Sequence, residues 1–324
     1  MKKNIAIVMG GYSSEVNISL QSGAVVYKHL NKEKYNTYKV HILSNKWVVV
    51  DADETEYPID KNDFSFTKNT TKITFDCVFN AIHGNPGENG SLLAYFDLIK
   101  MKHTSAPFYQ MALTFNKRDS LSVVKHYDIP TAKSVYINQG DTFSTDDIIQ
   151  KVGLPCFVKP NNAGSSFGIS KVHSIEKLIP AIEKAYKEDS EILIESFLDG
   201  TEVSVGVIQY KGETTVLPIT EIVSENDFFD YEAKYLGKSK EITPARLTEQ
   251  QEAKVREIAK KVYEILNMSG FSRSEYILVN DEPHFLEMNT VPGLTEASIL
   301  PQQANQAGIS LSELFENAIE MAIK

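Results

Sequence analysis

The sequence predicts an α/β protein of two or three domains that begins with an open parallel sheet. Three observations support this. The chain has 324 residues, more than one modest core uses. It opens with an unbroken apolar run, Ile5-Ala6-Ile7-Val8-Met9, suited to a strand buried on both faces. That run passes through a glycine turn, Gly10-Gly11, into a helical stretch from Val16 to Leu30, and ligands of α/β sheets bind at such strand ends.

Residues 46–75 are polar and irregular and read as short strands and loops. Phe75–Ile82 reads as a second inner strand that delivers His83-Gly84-Asn85-Pro86-Gly87-Glu88-Asn89-Gly90, a glycine-rich loop able to hold an anion or fix a side chain. A helix over 91–99 and a short strand over 102–107 complete the first region. Met111 to His126 reads as one helix carrying Lys117 and Arg118, followed by a strand at 131–138 and a helix at 145–151. Leu154–Pro160 is a strand ending at Lys159, and the small residues 161–168 form a hairpin tip before the strand Ile169–Val172. A helix over 178–187 and a strand over 191–195 follow.

From Gly200 the pattern becomes antiparallel, with strands at 202–209 and 214–219 around Lys211-Gly212. Residues 225–241 have no core period but many aromatic and charged residues, which suggests a lid. A long helix lies within 245–266, with apolar anchors expected at Ala253, Ile258, Val262 and Ile265. A hairpin then runs from Arg273 to Asn289, and a helix over 309–323 closes the chain.

Side chains alternate along a strand, so Arg273 and Glu275 share a face, as do Glu287 and Asn289. If the two pairs share one face, two carboxylates, an amide oxygen and a guanidinium converge. Hard oxygen donors suit Mg²⁺ holding phosphates, and the arginine can meet developing negative charge. The tip Gly164-Ser165-Ser166-Phe167-Gly168 has the chemistry of a phosphate cover, although it is not a P-loop and by itself reads more readily as an ordinary turn. Lys159, Glu195, Phe197, Leu198, Glu202 and Lys234 add cations, an apolar slot and carboxylates, although each lysine or glutamate alone reads as a solvated surface group.

The net charge of −10 argues against general nucleic-acid binding, while local lysines can still hold an anionic ligand. Cys77 and Cys156 sit in apolar strands and read as buried, inert thiols without a disulfide framework. No run approaches the roughly 18 uninterrupted apolar residues of a membrane span. Met1-Lys2-Lys3-Asn4 leads at once into a strand rather than into a signal core. A cytoplasmic protein with no membrane or nucleic-acid partner is the expectation.

Five ordered motifs resemble the D-alanine–D-alanine ligase family of the ATP-grasp superfamily: Gly10-Gly11-x-Ser13-x-Glu15; His83-Gly84-x-x-Gly87-Glu88-x-Gly90; Lys159-Pro160-x-x-x-Gly164-Ser165-Ser166-x-Gly168; Asp230-Tyr231-Glu232-Ala233-Lys234-Tyr235; and Glu287-x-Asn289-Thr290-x-Pro292-Gly293-x-Thr295. The resemblance covers Ile5 to Ile323. It implies a three-domain ATP-grasp architecture: a substrate-binding α/β domain at 1–107, a central subdomain at 108–199, and a metal-binding C-terminal domain at 200–324 with a lid at 225–241.

The resemblance also implies roles. Lys117, Lys159, Ser166 and Lys234 would hold the ATP phosphates, Glu195, Phe197 and Leu198 the adenine, and Glu202 the ribose. Glu275, Glu287 and Asn289 would hold two Mg²⁺ ions, with Mn²⁺ an alternative. Glu15 would receive the ammonium of the first D-alanine, His83 would position substrate, and Ser298 beside Ile299 would bind the second. Arg273 and the Gly293 N–H would stabilise an oxyanion, and Ser165 and Tyr235 would join Glu15 in a network closing the lid. Tyr235 favours an amine acceptor, so the product would be a dipeptide formed through a D-alanyl phosphate. A homodimer is implied.

Several positions depart from the usual pattern: Glu275 stands where aspartate is common, Ala163 and Asn89 replace acidic or polar residues, and Ile299 stands where leucine is common. Read without the family, Glu15 is a helix cap, His83 a loop-positioning group, Tyr235 a packed lid aromatic, Ser298 a helix cap and Arg273 part of a structural ion pair. The competing functions are another ATP-grasp carboxylate–amine ligase and a nonenzymatic Mg-ATP sensor.

Overall fold

In a computed structural model that describes residues 2–162, 164, 167–224 and 239–324, the chain forms three sheets. The first is built on β1 (Lys3–Gly11), whose run from Ile5 onward is buried. Its neighbours β2 (Tyr35–Leu43) and β7 (Cys77–Asn80) are parallel to it. Beyond β2 the sheet continues through β3 (Lys46–Val50), β4 (Glu56–Asp60), β5 (Ser65–Lys68) and β6 (Thr71–Ile73), in the order β6-β5-β4-β3-β2-β1-β7.

The expected parallel sheet is therefore mixed, because β3 to β6 pair antiparallel. Their connecting segments are too short for the crossover a parallel neighbour requires. The expected strand at 102–107 is reduced to a single bridge between Val78 and His103. The helix Val16–His29 follows β1 as expected.

The single helix expected over 111–126 is two, Phe108–Phe115 and Lys117–His126. Asn116 between them is extended, and its side chain accepts a hydrogen bond from Asp119 N at 3.0 Å, capping the second helix. The break places Lys117 at a helix start. The second sheet is wholly antiparallel, with β8 (Ser134–Asn138), β9 (Cys156–Pro160), β10 (Ser170–Val172) and β11 (Glu191–Ser196) in the order β10-β9-β11-β8. The helices Thr145–Val152 and Leu178–Ala185 supply the apolar side chains of its core.

The third sheet contains β12 (Thr201–Tyr210), β13 (Glu213–Val216), β14 (Thr220–Ser224), β15 (Ser239–Ile242), β16 (Phe271–Val279) and β17 (Glu282–Asn289). Val203, Val205 and Val207 of β12 belong to the core beneath the helix Glu249–Ile265. The alternate residues Glu202, Ser204 and Gly206 turn to the other face. A capping box between Thr248 and Gln251 sets the start of that helix. Its buried stripe is Val255, Ala259, Val262 and Tyr263. Of the expected anchors, Val262 is buried, Ile258 and Ile265 are partly buried against the core, and Ala253 is exposed. Helical spacing from Val255 puts Ala253 on the outer side.

On the opposite face the helix Ile299–Gln306 is pinned by Gln303. Its amide oxygen accepts from Gly206 N at 2.9 Å, and its nitrogen donates to Ser204 O at 2.8 Å and Thr220 Oγ1 at 2.9 Å. Cys77 and Cys156 are buried thiols, and burial pushes Cys156 up to about 11. The expected lid falls almost wholly outside the described residues, of which only its last three, in β15, are part.

Gly200 packs against the end of β16 so closely that an added Cβ would lie 2.0 Å from Leu278 O. Gly200→Ala is expected to destabilise the fold by about 1–3 kcal/mol, because backbone rather than a flexible side chain must move. A denaturant titration measures this; an unchanged midpoint would show that the strand end yields freely.

Candidate active site

The hairpin of β16 and β17 is the floor of the site. Asn280 and Asp281, with φ of 50° and 63°, form its two-residue turn, in keeping with the left-handed backbone that Asn and Asp tolerate. The resulting register sets Glu275 opposite Glu287 and Arg273 opposite Asn289. The four groups that alternation alone placed on paired faces are thus brought together. Arg273 donates to Glu275 Oε1 at 2.5 Å and to Ser204 Oγ at 2.9 Å. Burial disfavours its charge, but Glu275, Glu287 and Glu241 outweigh burial and raise its pKa further.

Two cavities flank this hairpin, and Glu287 lines both. One, of about 330 Å³, is lined by Glu15, His83, Glu88, Arg273, Asn289 and Ser298, with Gly293, Ile299 and Lys117 also on its wall. The other, of about 420 Å³, is lined by Lys159, Glu195, Phe197, Leu198, Glu202 and Glu275. The sequence-predicted residues therefore divide into two groups that meet at one carboxylate.

In the first cavity, Glu15 occupies the helix-start position but makes no side-chain cap, so the capping reading is not realised. Its carboxylate is turned toward two glycines: a methyl built on Gly164 would lie 2.9 Å from Oε2, and one on Gly84 3.1 Å. Gly84 has φ +65°, a conformation suited to glycine. His83 Nε2 is 3.0 Å from Ser22 Oγ, which accepts from Leu294 N at 3.2 Å, and the ring also bonds the backbone of Val291. Burial pushes His83 below the ordinary imidazole value, against the opposing pull of Glu15. Ser298 is the N-terminal flank of Ile299–Gln306, and its hydroxyl is 2.8 Å from Thr295 Oγ1 rather than capping the helix. A Cβ on Gly293 would lie 2.7 Å from Ser298 Oγ, so glycine keeps this approach open.

In the second cavity, Lys159 is 2.8 Å from Glu195. Burial alone would lower this lysine, but Glu195, Glu287 and Glu202 together hold it above its ordinary value. Glu195 is 3% exposed, and its Oε1 has no hydrogen-bond partner among the described residues. A buried carboxylate oxygen without a donor is costly, and a donor entering this cavity would satisfy it. Phe157, Phe197, Ile277 and Leu286 supply a flat apolar lining. Lys117 reaches across from its helix start to Glu287, at 3.3 Å.

Glu275, Glu287 and Asn289 present oxygen donors only, which fits a hard cation such as Mg²⁺. Asn289 Oδ1 accepts from Val291 N at 3.0 Å, fixing the amide while leaving its second lone pair. Among the described residues no group of three or more His, Cys, Asp and Glu converges as a metal cage. A cation here would therefore complete its shell with Asn289, phosphate oxygens and water. Ser165, Ser166, Lys234 and Tyr235 lie outside the described residues.

Sequence reasoning missed several residues. Glu88 belongs to the histidine-glycine motif but was given no role. It accepts from Gly84 N at 3.0 Å and from Thr290 N at 3.3 Å, tying that loop to the end of β17. Burial, together with the charge of Glu15, pushes its carboxyl up to about 7. Glu241 lines the first cavity, and Glu221 lines the second while holding Arg246 through two charge-assisted bonds of 2.6 and 2.8 Å. The signal for Glu88 was its place in a motif; Glu241 and Glu221 have no local signal, because their partners are distant in sequence.

Known proteins resemble this chain over nearly its full length. A family model described as "D-ala D-ala ligase C-terminus" matches residues 123–320, and one described as "D-ala D-ala ligase N-terminus" matches residues 4–106. A D-alanine–D-alanine ligase of Flavobacterium johnsoniae is 67% identical, and one of Christiangramia forsetii 58%; the alignments cover 99% and 100% of this chain and 99% of each relative. Among solved structures, the VanG D-Ala:D-Ser ligase of Enterococcus faecalis has a TM-score of 0.86 at 29% identity, covering 99% of this chain and all of that one. The D-alanyl-alanine synthetase A of Vibrio cholerae has 0.88 at 26%, covering 99% and 98%.

The raised Glu88 carboxyl gives a pH signature. Its folded pKa lies above the unfolded value, so the folded state binds the extra proton. Its stabilisation is present below about pH 4.3 and is lost as pH rises through about 7. Relative to Glu88→Gln, the parent should lose stability on the order of 1–3 kcal/mol across that interval. Denaturant titrations of both proteins at several pH values test this; parallel pH curves would remove the assignment.

Proposed function

Because the chain belongs to the D-alanine–D-alanine ligase family of the ATP-grasp superfamily, we propose that the larger cavity takes ATP, that the smaller takes both D-alanine molecules, and that the β16–β17 hairpin is where they react. The activity is the ATP-dependent joining of two D-alanines into D-alanyl-D-alanine, a peptidoglycan precursor. The observation that carries the assignment of sites is the sharing of Glu287 by the two cavities.

In this reading the adenine amino group donates to the unpartnered Glu195 Oε1, the ring lies among Phe157, Phe197 and Leu198, and Glu202 takes the ribose. Lys117 and Lys159, now paired with carboxylates, exchange those partners for phosphate oxygens. Ser166 and Lys234 join them from outside the described residues. Enzymes of this superfamily use ATP with Mg²⁺. Glu275, Glu287 and Asn289 would hold two such ions, with Mn²⁺ able to substitute. Bound there, the metal supplies neutralisation of phosphate charge.

Glu15 receives the ammonium of the first D-alanine, and His83 braces the loop beside it. The substrate carboxylate attacks the γ-phosphorus, the bond to the β-phosphate oxygen breaks, and D-alanyl phosphate and ADP form. The amine of the second D-alanine, oriented by Ser298 and Ile299, attacks the acyl carbon. Arg273 and the Gly293 N–H stabilise the tetrahedral oxyanion, which collapses with loss of phosphate while the amine gives up a proton. Closure by Ser165, Tyr235 and the lid would keep water from the acyl phosphate.

Three domains at 1–107, 108–199 and 200–324, a homodimer and a cytoplasmic location complete the proposal. No helix among the described residues is long and apolar enough to cross a membrane.

With Mg-ATP and D-alanine, ADP and dipeptide should appear in equal amounts; ADP without dipeptide would count against the acceptor site, and no D-alanine-dependent turnover against the reading as a whole. Arg273→Lys keeps the charge but loses the planar fork, so kcat should fall about 10²–10³-fold with the KM for ATP little changed. An unaltered kcat would exclude an oxyanion role.

A further inference from the structure

We propose that Glu241 receives the ammonium group of the acceptor D-alanine, accepts the proton whose loss frees the amine for attack, and so selects an amino acid over a hydroxy acid at that position. The inference rests on the ligase reading above. Two zwitterionic amino acids bring two ammonium groups into one cavity. Among the described residues four carboxylates line it: Glu15, Glu88, Glu241 and Glu287. Glu88 is committed to backbone N–H groups of Gly84 and Thr290, and Glu287 faces Lys117 and the phosphate side. Glu15 stands against Gly84 and Gly164, at the donor end. Glu241 remains, on β15, in the same cavity wall as Ser298, Ile299 and Arg273.

The electrostatics agree with the geometry. Arg273 is the cation shared by Glu275, Glu287 and Glu241, so its surroundings hold an excess of negative charge. Its shortest bond goes to Glu275. Burial raises the Glu241 carboxyl, and Arg273 and a hydrogen bond from Gln302 only partly offset this. That amide lies one turn beyond Ser298 and also donates to Ala297 O at 2.6 Å, so it is anchored. An ammonium beside Glu241 would complete the compensation. The hydroxyl of a hydroxy acid brings no charge and would leave the carboxylate short of a cation. The acceptor carboxylate, in turn, meets Ser298 and the N-terminus of Ile299–Gln306, where negative charge is favoured.

Glu241→Gln keeps the shape and removes the charge. Initial rates separate the KM values for donor D-alanine, acceptor D-alanine and ATP, and mass detection of products formed from D-alanine mixed with D-lactate gives the ratio of ester to dipeptide. The acceptor KM should rise about 10–100-fold, as for loss of a charged hydrogen bond. The donor and ATP constants should stay nearly fixed, and the product ratio should move toward the ester. Glu241→Asp, which keeps the charge, should retain most of the amine preference. An unchanged acceptor KM and product ratio, or an equal rise in all three constants, would overturn the role. Should the Gln variant fail to melt cooperatively, Glu241→Asp decides: drawing the charge back by one methylene should raise the acceptor KM several-fold, with the donor and ATP constants fixed and the product ratio near the parent's, and an unchanged acceptor KM would overturn the role. A parent that makes no D-alanyl-D-alanine would sink the ligase reading and this inference with it, whereas a working parent with insensitive variants sinks only the inference.

Discussion

The arrangement turns on one buried guanidinium. Arg273 lies in the middle of a sheet, where an unpaired charge would be prohibitive, and Glu275, Glu287 and Glu241 surround it. Losing a partner from such a cluster typically costs 3–5 kcal/mol. This requirement bears on register as well as charge. A one-residue slip of β16 would carry Arg273 and Glu275 to the opposite face, against the apolar stripe of the helix Glu249–Ile265. The pairing of Glu275 with Glu287 is thus enforced by hydrophobic burial on one side and by ion pairing on the other.

Two ties then fasten the glycine-rich loop of the first region to the end of that hairpin. Glu88 bonds Gly84 N and Thr290 N, and Ser22 links His83 to Leu294 N. These groups come from positions about two hundred residues or more apart in the chain, and they fix Glu15 relative to Arg273. Elsewhere the cations are held in advance by Lys117–Glu287 and Lys159–Glu195. Charges already oriented need little reorganisation when an anionic ligand replaces their partners, which is the economy of a preorganised site.

How much of this was legible in the sequence depended on the range of the interaction. The β16–β17 hairpin, its turn and the common face of Arg273 and Glu275 follow from period-two alternation and turn chemistry, which are local. So does the strand–turn–helix at the start. The break at Asn116 was missed because the flanking apolar pattern is continuous and only the cap reveals it. The mixed first sheet was missed because the earliest strand is of the parallel type, whereas the short connections after β2 decide its extension. The helix stripe was rotated because Ala253 is as apolar as Ala259, and only packing against β12 distinguishes them. Glu241 was hidden for the same reason: its neighbours Arg273 and Gln302 are far along the chain.

The shared wall between the cavities also constrains the chemistry. Phosphoryl transfer requires the terminal phosphate and the attacking carboxylate to meet at one point, although in the proposed assignment each ligand is held by its own cavity. Glu287 lines both, so that point lies at the end of β17. Glu287 and Asn289 are two residues apart on one strand face, a separation of about 7 Å. On the proposed reading, a strand offering two oxygen donors at that spacing keeps phosphate oxygens in register while Arg273, directly across the hairpin from Asn289, would face the acyl carbon. On that reading the hairpin does more than carry ligands: its pleat is the ruler that would align the nucleotide with the amino acid.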